Sequence, residues 1–409
     1  MISALLCLVG ALVLVAVAFA LSIDRANINW KTVALAFALQ IGLGAIVLYV
    51  PLGQSLLAAL TSGVSAVLDY AQDGIAFMFG DIGRGKLGFI FAFQVLPAVI
   101  FFSALISVLY YVGVMQWVVR IIGGGLKALL RTSAPESMSA ATNIFIGQTE
   151  ALFTVKPFVP HMSRSELFAV MVGGLATVAG ATMAGYVALG VSLNYLIAAS
   201  FMAAPGAIAM AKIFVPELPD TQFVETLDQV DEEDDQPVNV IDAAAKGATS
   251  GMQLAVNVGA MLIAFIGLIA MLNGMIGWLG SVVGFPGVSI ELALGYLFSP
   301  LAWLMGIPWG EAVQAGSYIG QKIVLNEFVA YVDFVNTGKD LGEHTKAVVT
   351  FALCGFANLS SIAILLGGLG LIAPTRRAEI ATLGMRALMA ASLANFMSAT
   401  IASFFLLLA

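Results

Sequence analysis

The chain has 409 residues, 60% of them hydrophobic and only 10% charged, with a formal net charge of −7. Soluble domains carry about 25% charged residues, so this chain has too little polar surface to cover a water-soluble globule. The composition also excludes a nucleic-acid binder, which needs a basic stripe, and a transmembrane β-barrel, whose strands alternate in segments of about ten residues.

Apolar runs of roughly 18 residues or more recur, each able to cross a hydrocarbon core of about 30 Å. They predict an all-α polytopic membrane protein. The first run, residues 2–22, lacks a basic leader and reads as a retained transmembrane helix, not a signal peptide. Seven further spans are expected at 33–51, 88–118, 166–190, 192–214, 250–278, 347–372 and 384–408, which makes eight. Two amphipathic stretches suit the membrane interface better than its core: 54–80 and 118–133, the second carrying Arg120, Lys127 and Arg131. Cys7 and Cys354 lie in apolar runs and imply neither a disulfide nor a metal framework. His161 and His344 sit near segment ends and read as solvated or capping residues.

The acidity is local. Ten acids and no base lie between Glu217 and Asp242, leaving fourteen acids against seventeen bases elsewhere. That stretch reads as a solvated loop, and it lacks the order of a calcium-binding loop. With the N-terminus outside, twelve basic residues fall on the cytoplasmic side. Only Arg84, Lys86, Lys339 and Lys346 fall on the outer side, and Lys322 lies within a hairpin. This positive-inside bias puts both termini on the outer face.

Two segments are too polar or too short for simple spans: 134–160, APESMSAATNIFIGQTEALFTVKPFVP, and 290–331, which contains PWGEAVQAGSYIGQKIVLNEFVAY. Each reads as two short helical pieces. Each precedes a long helix whose centre is crowded with small and polar residues, MVGGLATVAGATMAGY (171–186) and FALCGFANLSSIAILLGG (351–368). Glycine-rich faces for close packing explain the small residues, but they do not explain glutamates. Paired interrupted segments in two halves point to a transporter's binding site.

A carboxylate at the bilayer centre costs about 2.5–3.5 kcal/mol on insertion scales, which marks Glu150 and Glu327 as functional. Glu311, beside Pro308 and Gly310, reads as a helix cap, and Lys156 and Lys322 as partners for nearby carboxylates. Gln148, Thr149 and Glu150 together match a heterocycle edge with mixed donors and acceptors. Glu327, Asn358 and Ser361 suit vicinal hydroxyls, with Phe356 as an apolar face. On this chemistry alone, amino acids or small sugars fit nearly as well as a base joined to a sugar.

GQTEA (147–151), NEFVAY (326–331), CGFANLSSIAILLGGLG (354–370), FFSALISVLYYVGVMQW (101–117) and GFIFAF (88–93) resemble the concentrative nucleoside transporters. The likeness runs through essentially the whole chain and is greatest to bacterial, eight-helix members. It implies a homotrimer in the bacterial inner membrane, with two re-entrant helical hairpins and two broken helices forming an inverted-repeat transport core. The corresponding division is scaffold over 1–133, a first repeat over 134–214, an acidic cytoplasmic loop over 215–249, a scaffold and trimer helix over 250–289, and a second repeat over 290–409. The resemblance carries base recognition onto Gln148, Thr149 and Glu150 with Thr182 nearby, and ribose recognition onto Glu327, Asn358 and Ser361. It carries a sodium site onto Asn143, Ile146 and Thr177, partly through backbone carbonyls. There are departures: Leu152 replaces a proline, Lys156 an arginine and Thr177 a serine, and GRGKL before GFIFAF is short.

The expected activity is sodium-coupled symport of a nucleoside such as uridine, with no organic cofactor. Its nearest rival is proton coupling through Glu150 or Glu327. An intramembrane transferase and a passive channel are more remote.

Overall fold

The computed structural model describes residues 2–218, 237–284 and 287–409; the side chains of Ile2, Thr149, Glu150, Phe153 and Val283 lie outside that description. Every regular element among the described residues is helical. The chain opens with α1 (Ile2–Ala20), α2 (Trp30–Leu48) and α3 (Pro51–Gly83). Asn29 starts α2 by accepting from the Thr32 N–H, and Pro51 occupies the first turn of α3, where its missing N–H costs nothing.

The stretch expected at the interface, 54–80, lies within α3, which runs 33 residues, bends at Gly80 (φ 56°, ψ −131°), and by length and composition alone contains an apolar window as long as a span. Among the described residues eight helices pass that test, but they are not the eight expected. α3 joins the set, while the expected span 347–372 is interrupted and its longer piece is too short to pass.

The expected run 88–118 is also divided. It comprises α4 (Phe91–Gln94), α5 (Leu96–Tyr111) and the start of α6 (Val114–Leu130). Gly113 makes the division in a left-handed conformation (φ 86°) that glycine adopts without steric cost.

The next helices are α7 (Ala134–Thr142), α8 (Gln148–Val155), α9 (Arg164–Ala176), α10 (Gly180–Ala188) and α11 (Leu193–Phe214). Ser133 with Glu136 and Ser163 with Glu166 form capping boxes at the starts of α7 and α9. Buried Lys212, near the end of α11, pairs with Glu136 and with Glu217 (3.2 Å) and donates to Ser165 (3.0 Å). One ammonium thus ties three helix ends together.

α12 (Val240–Val283) starts ten residues before the expected 250–278 span, because Asn239 caps it by accepting from Asp242 N–H. At 1.5 Å per residue it is about 66 Å long. The most acidic part of the preceding loop, 219–236, lies outside the described residues.

The second polar segment is not a pair but three helices: α13 (Ile290–Leu304), α14 (Trp309–Val324) and α15 (Glu327–Thr337), with a 117° bend between α13 and α14. The polar tip matching that of α7–α8 lies at Leu325–Asn326. Then come α16 (Glu343–Leu353), α17 (Leu359–Ile372) and α18 (Arg377–Leu406). One order therefore occurs twice: outer helix, helix pair, broken helix, plain helix. It is α6, α7–α8, α9–α10, α11, and then α13, α14–α15, α16–α17, α18. Contacts follow the same pattern, α7 on α9 and α9 on α11, then α14 on α16 and α16 on α18. The halves interlock where α9 meets α18 and α11 meets α16.

α9, α11, α16 and most of α18 are buried and form the centre. α1, α2, α3, α5 and α12 form a shell whose apolar side chains largely face outward. α12 packs chiefly on α5. A Cβ at Gly251 would lie 2.8 Å from the Ile100 Cα, and one at Gly247 would lie 2.7 Å from the Ser103 carbonyl oxygen. Replacing Gly251 with leucine must push these helices apart. We expect Gly251→Leu to lower the melting temperature of the purified protein by several degrees, while Gly42→Ala, which meets nothing within 4 Å, leaves it within a degree or so.

Candidate functional site

The two broken helices meet back to back. α9 stops at Ala176, with Thr177–Ala179 before α10; α16 stops at Leu353, with Cys354–Asn358 before α17. Helix ends leave carbonyls and N–H groups without intrahelical partners, and in a buried setting each must find one. Here they find one another: the Phe356 N–H donates to the Thr177 carbonyl at 3.1 Å. Buried Asn395, in the middle of α18, donates to the Ala176 carbonyl (2.6 Å) and the Cys354 carbonyl (3.0 Å). A Cβ at Gly355 would lie 2.3 Å from Asn395 Oδ1 and 2.8 Å from the Ala176 oxygen, so only glycine lets these strands of backbone pass.

Beyond the breaks four helices begin around one cavity of about 770 Å³: α8 at Gln148, α10 just before Thr182, α15 at Glu327 and α17 just after Asn358. Helix N-termini carry partial positive charge and unpaired N–H groups, which favour a carboxylate and oxygen-rich ligands. Asn326 caps α15 by accepting from Val329 N–H (2.9 Å), which sets Glu327 at its first position. Asn358 caps α17 through Ser361 N–H (2.8 Å) and turns its Nδ2 to Glu327 Oε2 (2.8 Å). The Tyr186 hydroxyl donates to Glu327 Oε1 at 3.0 Å. Each carboxylate oxygen thus has one protein donor and room for another hydrogen bond. The chemistry suits a pair of hydroxyls.

The opposite part of the cavity is less self-satisfied. Gln148 Oε1 and Thr182 Oγ1 are buried and have no hydrogen-bond partner among the described residues. An unmet buried acceptor costs about 1–3 kcal/mol, so these atoms are prepared to take donors from a ligand.

Six residues expected to bind substrate, Gln148, Thr182, Glu327, Phe356, Asn358 and Ser361, line this one cavity. The side chains of Thr149 and Glu150 are outside the described set; their backbone is the first turn of α8. Of the expected sodium ligands, Asn143 and Ile146 lie in the tip between α7 and α8, and Thr177 caps α9. Asn143 Nδ2 bonds the Ser139 carbonyl (2.9 Å), while its Oδ1, like Thr142 Oγ1, is buried without a partner among the described residues. Thr177 Oγ1 donates to the Gly173 carbonyl (2.9 Å), and a Cβ on Gly173 would lie 3.6 Å from Asn143 Nδ2. The Phe145 carbonyl accepts from Gly180 N–H (2.9 Å), which holds the tip against the first break. Unpaired oxygens beside a broken helix suit a hard cation such as sodium.

Three placements differ from the sequence reading. Lys322 does not pair with a carboxylate: it is buried and donates to the Ala352 carbonyl and Asn395 Oδ1, both at 2.7 Å. Glu311 accepts from Gly342 N–H (3.1 Å), so it caps the start of α16 rather than only its own helix. His344 is half-buried and bonds Ser403 at 3.0 Å. Leu152 is buried and would touch a Cβ at Gly368 on α17, whereas Lys156 is exposed.

The sequence reading missed Tyr186 and Asn395. An aromatic residue in an apolar helix reads as core, and Tyr186 does stack on Phe328 and Tyr331 (ring centroids 4.7 and 4.5 Å). It also missed the far wall, where α12 presents Gln253 and Asn257 to the cavity. Their spacing of four on an otherwise apolar helix was the available signal.

A chain of span-length apolar helices, with paired broken helices around a cavity that holds buried carboxylate and amide groups, has the build of a transporter, and comparison with known proteins specifies the family. Family models for the Na+ dependent nucleoside transporter N-terminus and C-terminus match residues 9–82 and 195–403, and one for nucleoside recognition matches 92–193. The chain is 46% identical to the nucleoside permease NupC of Helicobacter pylori, over 99% of this chain and 98% of that one. It is 50% identical to the uncharacterized transporter YutK of Bacillus subtilis, over 98% of each. It is 35% identical to human solute carrier family 28 member 3, over 96% of this chain and 58% of the relative. Among solved structures it matches CNTnw in an inward-facing substrate-bound state, with TM-score 0.94, 52% identity, and 100% and 99% of the two chains covered. A doubly substituted CNTnw in an outward-facing state matches with TM-score 0.96 and 52% identity over 100% of both chains. The chain belongs to the concentrative nucleoside transporter family and is a multi-pass membrane nucleoside transporter.

Tyr186 orients Glu327 without needing to touch the ligand. We expect Tyr186→Phe, which keeps the ring packing, to weaken nucleoside binding about tenfold or more in calorimetry, as fits loss of a hydrogen bond to a charged group, roughly 1.5–3 kcal/mol. Unchanged affinity would show that Asn358 and the N-terminus of α15 suffice to hold the carboxylate.

Proposed function

We propose that this chain is a sodium-coupled symporter that drives nucleoside uptake across the bacterial inner membrane by alternating access. The single observation that carries the reading is the convergence of Gln148, Thr182, Glu327, Phe356, Asn358 and Ser361 on one cavity, near oxygens of Asn143 and Thr142 that have no partner among the described residues. Base recognition falls to Gln148, Thr149 and Glu150 with Thr182, and ribose recognition to Glu327, Asn358 and Ser361, with Phe356 against an apolar face. Sodium takes the oxygens of Asn143 and Thr177 and the carbonyl of Ile146. Binding there fixes the tip from Asn143 to Gly147, and so fixes the start of α8, where Gln148, Thr149 and Glu150 stand in sequence.

The ion drives transport only through its different affinity for the two access states. The membrane potential adds about 2.3 kcal/mol per charge per 100 mV. One wall of the cavity comes from α5 and α12, the other from α8, α10, α15 and α17. Movement of the second group past the first, with α7–α8 and α14–α15 as re-entrant hairpins of inverted repeats, would carry a bound ligand between the two sides. The exposed apolar length of α12, including Ile263 and Trp278, supports a role as scaffold against lipid and the other copies of a homotrimer. Both termini lie on the outer side by the basic-residue bias.

Proteoliposomes given labelled uridine test the coupling. An inward sodium gradient should drive uptake above equilibrium and a proton gradient alone should not. Equal uptake in choline and sodium contradicts sodium coupling, and accumulation driven by the proton gradient alone selects proton coupling.

A further inference from the structure

The two halves place different chemistry at equivalent points. Gln148 opens α8 and Glu327 opens α15. Five residues before each stands a buried polar side chain, Asn143 in the first half and Lys322 in the second. Each belongs to the end of the helix that leads into the tip: Asn143 caps α7, and Lys322 is in the last turn of α14. Each also lies against the last turn of the following broken helix. Asn143 borders Gly173 of α9, and Lys322 donates to the Ala352 carbonyl of α16. Both breaks are C-terminal helix ends, which carry partial negative charge and favour a cation. In the second half that cation is part of the chain. The Lys322 ammonium faces acceptors only, the Ala352 carbonyl and Asn395 Oδ1. The amide orientation of Asn395 is settled by its neighbours, since its nitrogen lies against two carbonyls and its oxygen against the ammonium. In the first half the equivalent side chain is neutral and offers a buried oxygen, Asn143 Oδ1, that has no partner among the described residues.

We propose that Lys322 is a tethered cation that stands, in the second half of the core, where a coupling sodium binds in the first, and that it limits the transporter to a single sodium per nucleoside. The inference rests on the sodium reading of the first half. Its physical content is a substitution: an ammonium fixed to α14 occupies the end of α16, donating to the Ala352 carbonyl, so no mobile ion is needed there. Asn395 joins both helix ends to that ammonium and lets one lysine serve the junction. Lys322 is therefore a coupling residue that acts through the helix ends and does not touch the nucleoside.

The test is the sodium dependence of nucleoside affinity, read by calorimetry on the purified full chain over a range of sodium with choline as the balance. Wild type should show log Kd falling as log sodium concentration rises, with a slope of about one in magnitude at subsaturating ion. Lys322→Asn, which copies the first half, should raise that slope by about one. The reciprocal Asn143→Lys should flatten it towards zero, because it brings a tethered cation to the first half. A slope of one that stays at one in Lys322→Asn overturns the proposal and leaves the sodium reading intact. A flat wild-type slope overturns the sodium reading itself. Should Lys322→Asn bind no nucleoside, the milder Lys322→Gln is read by melting temperature in sodium against choline. A larger sodium-induced rise than wild type supports the proposal, and an equal or smaller rise overturns it.

Discussion

A helix interrupted inside a membrane protein leaves carbonyls and N–H groups that cannot turn to water, and this molecule interrupts two. The pairing of these groups is the constraint on which the remaining structure depends. Asn395 takes the Ala176 and Cys354 carbonyls at once, Phe356 N–H takes the Thr177 carbonyl, and Lys322 takes the Ala352 carbonyl. Each partner comes from a different element, so the two broken helices, α14 and α18 are held as one body. Losing any one partner would strand a buried acceptor at a cost of about 1–3 kcal/mol. Glycine at 355 is required for the same reason, since a side chain there would displace Asn395 from the carbonyls it joins.

With the C-terminal halves of the breaks satisfied internally, the N-terminal ends across the break are free to serve the cavity. Glu327, at the first position of α15 and bonded to the cap of α17, sits where two helix N-termini favour negative charge. Tyr186 brings the first half into contact with that carboxylate, so the carboxylate end of the cavity is built from both halves. The other subsite has the opposite character. Gln148 Oε1 and Thr182 Oγ1 have no partner among the described residues, and they gain most from a ligand that carries its own donors. One side of the cavity is hydrogen-bonded within the protein, and the other holds oxygens that find no partner among the described residues. Beside that second side lies the tip whose Asn143 oxygen is also unmet among the described residues.

Much of this was legible before any coordinates because polar residues are costly in an apolar chain. Gln148, Glu327, Asn358 and Ser361 stood out on those grounds, and the structure brings them to one cavity. What remained hidden had physical reasons. Tyr186 uses its ring for packing and only its hydroxyl for the site, so its residue type suggested core. Asn395 lies on α18, whose apolar content made it look like an ordinary span, and its partners are 219 and 41 positions away. Lys322 was read as a partner for a carboxylate, because sequence cannot show that helix-end carbonyls compete for the same ammonium. The second helix pair was misjudged at its start because α13 and α14 are both apolar enough to pass together as a broken span. The family resemblance supplied Thr182 and the sodium ligands, which spacing and polarity alone did not single out.

The claim at the centre of this account is that the two halves share one ligand between the start of α8 and the start of α15. A cryo-electron microscopy map of the protein in lipid nanodiscs with sodium and a saturating nucleoside measures this most directly. The account predicts density in the cavity with sugar hydroxyls within hydrogen-bonding distance of Glu327 and Asn358 and the base against Gln148 and Thr182. Nucleoside density elsewhere, with this cavity closed over by its own side chains, would contradict it.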